Sequence, residues 1–293
     1  MMAMSKTKTL IASESKKGRE IIRQTCEIAL NECGLGERGL QRVIHRGREL
    51  QTGFKKLIMD LAVAQDFANE DVCSSYAYPA FKVKPIAEQV ETLQQYFPKL
   101  SGVNLSIASQ PLPDGAEGYY AIPRWESIAS TYGEAVENLL AIIAKQRKFY
   151  NYRSNKLTEE YLRQHARTSH ALDLLAEQQP KQDILVVAVQ FGLKHRGRSV
   201  RRAREVFASN EFGLGAFAIG CMLITHPERL VDYEDLWIDC AGDEYSLDAD
   251  GQFGCAPCFF LDVGELRFNA NRVGYASGHL GSASGFLPTE AAA

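Results

Sequence analysis

The run DILVVAVQF at 183–191 restricts the fold of this 293-residue chain more than any other segment. It is short, β-branched and nearly continuous in apolar residues, which predicts a strand buried on both faces. A turn at Gly192 and a helix over about 198–208 follow it. Further strands are expected at 236–240 and, as a hairpin turning at Val263-Gly264, at 258–262 and 265–268. The apolar stretch 215–225 fits a strand or a buried helix, and periodicity does not separate the two. The glycine- and serine-rich stretch 274–285 reads as ordered loop.

Upstream of this run the pattern is helical. Residues 1–13 read as a disordered tail. Helices are expected at 14–32 and 37–67, broken at Cys33-Gly34-Leu35-Gly36 and forming a hairpin over about 14–67. In the second helix Leu40, Gly47, Phe54 and Leu61 recur every seven residues, as do Val43, Leu50, Leu57 and Ala64. That spacing makes a seam suited to intramolecular packing or to a homo-oligomer. A third helix with Pro85 in its first turn completes a helical region over 14–97. Residues 98–118 read as a linker or long loop. Two more helices, about 126–148 and one capped by Thr158 that ends near Gln179-Pro180, make a helical region over 119–180. The expected fold class is therefore mixed α and β: a predominantly helical N-terminal region followed by a smaller α/β or α+β region over 181–293.

Charge is distributed unevenly. Residues 207–293 carry 3 Lys+Arg and 13 Asp+Glu, a net of 3 − 13 = −10; the remaining 30 Lys+Arg and 23 Asp+Glu give residues 1–206 a net of +7. The basic part ends in Lys194-His195-Arg196-Gly197-Arg198-Ser199-Val200-Arg201-Arg202-Ala203-Arg204. On a helix, Arg198, Arg201 and Arg202 share a face opposite Val200, Ala203 and Phe207. This arrangement suits phosphate, and it suits equally a charged face that pairs with the acidic C-terminal segment. A second cluster interleaves Lys145, Arg147, Lys148, Arg153 and Lys156 with Phe149, Tyr150 and Tyr152. Cations track a phosphate backbone while aromatic faces stack on unpaired bases. The same residues also fit a helix end with aromatics packed inward.

The remaining motifs are weaker. Cys255-Ala-Pro-Cys258 runs into an apolar strand pattern rather than opening a helix, as a redox pair would, and it lacks zinc partners at a known spacing. Asp239, Asp243 and Glu244 follow the strand 236–240, where α/β enzymes place metal or acid–base carboxylates. Asp248-Ala-Asp250-Gly251 reads as a turn. No Walker loop or dinucleotide fingerprint is present, so no cofactor and no metal are assigned. The longest apolar run, 212–224, is 13 residues, too short to span a bilayer. No secretory signal pattern opens the chain, and a cytoplasmic location is expected.

The segments GYYAIPRWESIASTYGEA, QFGLKHRGRSVRRAREVF, HPERLVDYEDLWIDCAGDEY and GSASGFLP resemble an uncharacterised bacterial protein family with no established activity. The resemblance extends from about Tyr76 onward and carries no functional residues across. The reading that results is a non-enzymatic protein associated with DNA or RNA. Its phosphate contacts are Lys194, His195, Arg198, Arg201 and Arg202, with Lys145, Arg147, Lys148, Tyr150, Tyr152 and Arg153 beside them. The alternatives are an enzyme acting on a phosphorylated or nucleic-acid substrate and a structural protein using the 37–67 helix.

Overall fold

The computed structural model describes residues 23, 33–47, 49–51, 53, 70–76, 78 and 81–288. The chain divides into two compact units, Met1–Ala68 and Asn69–Ala293. In the first unit, helix α1 (Glu37–His45) has no buried residue, and Leu40, Ile44 and Leu50 are exposed. Most of the expected hairpin, including Phe54 and Leu57, and the 1–13 tail lie outside the described residues.

The second unit holds two sheets. The four-stranded sheet has the order β1-β4-β11-β5, all antiparallel, with β1 at Gly118–Pro123, β4 at Ile184–Gln190, β5 at Glu211–Gly213 and β11 at Ser284–Phe286. The seven-stranded sheet is centred on β8 (Cys255–Asp262). One edge of β8 pairs with β9 (Glu265–Arg272), which pairs in turn with β2 (Phe149–Asn151). Its other edge pairs with β6 (Trp237–Asp239) and, further along, with β7 (Asp243–Tyr245). Beyond them lie β10 (Leu280–Ser282) and β3 (Leu162–Gln164). Every residue of β4 is buried, as its β-branched run requires. Val263 and Gly264 both have positive φ and close the β8–β9 hairpin, the conformation that two-residue hairpin turns favour.

The helices follow α2 (Ile86–Tyr96), α3 (Tyr132–Gln146), α4 (Ala166–Gln178), α5 (Val200–Val206) and α6 (Ala216–Thr225). All ten residues of α6 are buried, and the helix packs on α2, α3 and β1. This settles the ambiguity at 215–225. A wholly apolar helix satisfies its own backbone internally, whereas a strand there would need a paired neighbour on each side.

The expected division into a helical N-terminal and a smaller mixed C-terminal region is corrected here. Strands β1, β2 and β3 fall within or beside the stretch expected to be helical, and among the described residues after 226 every regular element is a strand. Strands β2 and β3 have three residues each, too few to display the alternation that marks a strand in sequence. Thr158 does not cap a helix; its carbonyl accepts from Tyr161 and Leu162 in a turn, and His165 caps α4 instead. The 274–285 stretch, expected to be loop, contains β10 and most of β11. Residues 98–118 belong to the same compact unit, with Val103 bridging Ile184 and Ser101 bonded to Asp183.

The two sheets meet where only hydrogen fits on the α-carbon. A Cβ on Gly213 would lie 2.6 Å from the Ala241 carbonyl carbon and 2.7 Å from the Gly242 nitrogen. These are backbone atoms and cannot rotate away. Gly213→Ala should therefore cost at least about 2 kcal/mol in urea denaturation. Gly254, with nothing within 4 Å of its added Cβ, should tolerate Ala to within about 0.5 kcal/mol. Equal effects at the two positions would disprove the close approach.

Candidate nucleic-acid interface

Helix α5 forms where the sequence indicates, capped by Ser199, whose hydroxyl accepts from the Arg202 amide. Val200, Ala203 and Phe207 dock with Ala241 and Ala256 of the large sheet. The cations around it are drawn into the fold. Lys194 Nζ lies 2.6 Å from Glu211 Oε2, and His195 Nε2 lies 2.8 Å from Glu211 Oε1. Both Glu211 and His195 are buried. Burial alone would raise the Glu211 carboxyl, but the bonds from His195, Lys194 and Ser284 outweigh it and hold it near 2. Burial pushes His195 below its ordinary value, against the pull of Glu211. Arg198 donates to Ser74 Oγ and the Lys194 carbonyl. Arg202 lies 3.8 Å from Glu70, and Arg204 donates to the carbonyls of Ala241 and Asp243. Within 198–202, Arg201 is the arginine that reaches the surface.

The second cluster divides. Arg147 turns inward, its Nη1 donating to the carbonyls of Pro227, Arg229 and Leu230. Arg153 donates to the Ala270 carbonyl and sits over the Tyr245 ring. Lys145, Lys148, Tyr150 and Tyr152 are exposed. Tyr150 is on β2, whose register sets it against Arg267 on β9, and Arg267 lies across from Phe260 on β8. One strand further, Trp237 precedes Ile238, the partner of Phe259, so Trp237 shares the face of Phe260.

The outcome is a continuous aromatic row on one side of the large sheet. Tyr150 and Tyr152 have ring centroids 4.7 Å apart, Tyr152 stacks on Phe260 at 6.5 Å with 14° between planes, and Phe260 lies 5.3 Å from Trp237. Trp237 then meets Tyr233 at 6.0 Å and His279 at 5.8 Å. Tyr150, Tyr152 and Tyr233 are each about half exposed, at 50%, 45% and 51%. Arg267 lies under this row, donating to the Tyr152 hydroxyl at 3.0 Å and paired with Asp262 and Glu265. Sequence reasoning found Tyr150 and Tyr152 and missed Phe260, Trp237, Tyr233, His279 and Arg267. The signal for Arg267 was present: β9 alternates buried and part-exposed residues along ELRFNANR, which marks every second residue as outward.

The acidic residues do different work. Asp243 Oδ2 accepts from the Ala216 amide at 2.6 Å, and both its oxygens receive the Tyr132 hydroxyl. Glu244 pairs with Arg163 at 2.8 Å. Asp239 is buried beside Ser282 and Cys258 in the register of β10, β6 and β8. Among the described residues no group of three or more His, Cys, Asp or Glu is placed to hold a metal ion. Cys255 and Cys258 are buried free thiols pushed up by burial, and Asp250 accepts from Ser246 and Gln252 in a turn. A small cleft of about 80 Å³, lined by Trp125, Tyr132, Leu172, Leu185 and Phe217, opens beside the start of α6. No helix among the described residues is long and apolar enough to cross a membrane.

No family model, curated protein or solved structure matches this chain. The site therefore rests on its own geometry.

Asp239 gives a pH signature. Burial, unopposed, raises its carboxyl from 3.8 to about 7, and its Oδ2 has no hydrogen-bond partner. The folded state holds the proton more tightly than the unfolded chain. The stability this contributes is intact below 3.8 and is lost as pH rises through about 7. Asp239→Asn should leave stability near wild type at pH 4 and exceed it by up to roughly 4 kcal/mol above pH 7. Urea denaturation across that range checks this; a pH-independent difference would refute the unpaired carboxyl.

Proposed function

We propose that the protein is a non-enzymatic nucleic-acid-binding protein that holds single-stranded segments on the open face of its large sheet. The observation that carries this reading is the aromatic row from Tyr150 through Tyr152, Phe260 and Trp237 to Tyr233 and His279, exposed at its ends and part-buried at Phe260 and Trp237. Centroid spacings of 4.7–6.5 Å suit unstacked bases laid against ring faces and edges, a contact that tolerates any base sequence. Lys148, exposed next to β2, lies two residues before Tyr150 at the end of the row, where a phosphate backbone could approach it, and Lys145 is exposed one turn further back on α3.

Helix α5 supplies Arg201 to this reading. Lys194, His195, Arg198, Arg201 and Arg202 all have partners in the fold, so a duplex lying on α5 would have to compete with those contacts. A paired strand also hides the base faces that an aromatic row engages. Single strands are favoured for both reasons.

Titrating Trp fluorescence with a 12-nucleotide single strand at low salt tests the reading. Trp237→Ala and Tyr152→Ala should each weaken binding about 5- to 100-fold, the range expected for one lost stacking contact. Arg201→Ala should weaken it less than about 5-fold and flatten the salt dependence. Absence of binding to single-stranded DNA and RNA, or binding of a neutral oligosaccharide in their place, would reject it; tighter binding to duplex would return the contact to α5.

A further inference from the structure

The segment after α6 buries a positive charge that, among the described residues, no carboxylate contacts. Arg229 is 2% exposed. Its guanidinium carbon lies 3.8 Å from the Tyr78 ring centroid and 4.9 Å from that of Phe191. One long hydrogen bond, from Nη2 to the Leu236 carbonyl at 3.4 Å, is made. Nε and Nη1 have no partner. Among the described residues no carboxylate oxygen comes within 4.0 Å of Arg229.

The walls around this charge add donors rather than acceptors. The hydroxyls of Tyr78 and Tyr120 are buried and unpartnered. Arg229 lies over the Tyr78 ring and against Phe191, and Tyr120 meets Phe191 at 5.8 Å, so the three groups adjoin one region. Burial pushes both phenols up, and each keeps its proton at neutral pH. Phe81, Phe191 and His226 close the region with rings. His226 is held down near 4 by burial and stays neutral. Arg147 lies close enough to Arg229 to repel it. The Arg229 guanidinium and two hydroxyls thus offer N–H and O–H groups in a region of low polarity. Rings temper a buried cation, but the orphaned donors still need acceptors.

We propose that Arg229, Tyr78 and Tyr120 form a buried site for a small monovalent anion, a halide or the carboxylate group of a small acid. An anion supplies the acceptor that both hydroxyls and the Nε and Nη1 groups need, and it cancels the unpaired charge. A metal cation is repelled by the guanidinium. A doubly charged ion would bring more negative charge into this region of low polarity than the one Arg229 guanidinium cancels. The site is independent of the aromatic row, and neither stands or falls with the other.

Thermal unfolding of the full chain at constant ionic strength provides the test, with sodium chloride, sodium formate or bulky sodium gluconate as the salt. Chloride or formate should raise the midpoint by at least about 3 °C over gluconate, and the rise should saturate. The arm giving the larger rise separates a halide from a carboxylate. Tyr120→Phe keeps the ring and removes one donor; it should fold normally and need about 5-fold more anion for the same rise. Arg229→Met should abolish the rise, and if that variant does not fold, Tyr120→Phe alone decides. Equal midpoints in all three salts, or a rise left unchanged by Tyr120→Phe, would overturn the proposal.

Discussion

The Asp243 carboxylate is the contact on which the arrangement of the larger unit depends. Helix α6 has no residue at the surface, so its first amides cannot be satisfied by water. Asp243 takes the Ala216 amide, and the Tyr132 hydroxyl donates to the same carboxylate while accepting from the Phe217 amide at 3.4 Å. Three elements are thereby joined at one point: β7 through Asp243, α3 through Tyr132 and α6 through its first turn. A Cβ on Gly215 would lie 2.5 Å from the Tyr132 hydroxyl, so the residue before α6 must be small. Burial raises Asp243 to about 7 against the hydrogen bonds from Ala216 and Tyr132. The fold thus places a costly group where it alone can start a buried helix.

Much of the architecture near this point was legible. The runs that became β4 and the β8–β9 hairpin carry their own signals, β-branched continuity in one and a turn between two apolar segments in the other. The division of the chain was not legible. Strand β2 pairs with the eight-residue β9 and β3 with the equally short β7, and a three-residue strand has no period of its own. The same holds for β10 and β11. Only Ala283 separates them, at the crossing from one sheet to the other, and their glycines and serines resemble a loop. They are strands because a larger side chain would not fit where the sheets meet.

The basic run shows how composition conceals pairing. One carboxylate, Glu211, takes both Lys194 and His195 from a sequence distance that no spacing rule covers. Carbonyls at 241 and 243 take Arg204, and those at 227, 229 and 230 take Arg147. Arginine serves here as a multidentate donor to backbone that would otherwise be left without partners. A charge count cannot distinguish that use from a solvated face awaiting phosphate. The aromatics are the reverse case. Tyr150 and Tyr152 stood out in a basic cluster, yet what makes them a surface is Phe260 and Trp237, distant in sequence and joined to them only by sheet register.

That register also explains why part of the aromatic row stays uncovered. Asp239, Cys258 and Ala256 share a face with Trp237 and Phe260 by alternation, so one side of the sheet is both covered and bare. Its cover is α5, seven residues long and about 10 Å from end to end. The five strands from β10 across β6, β8 and β9 to β2 span about 19 Å at 4.8 Å per interval. Helix α5 cannot cover both ends. Over the part it reaches, the sheet presents small and apolar groups such as Ala256. Over the part it leaves bare, the sheet presents tyrosine, phenylalanine and tryptophan around the single ion-paired Arg267. Contiguous exposed rings bring a risk of aggregation and contribute little to folding. On the proposed reading, bases laid on these rings are what the exposure serves.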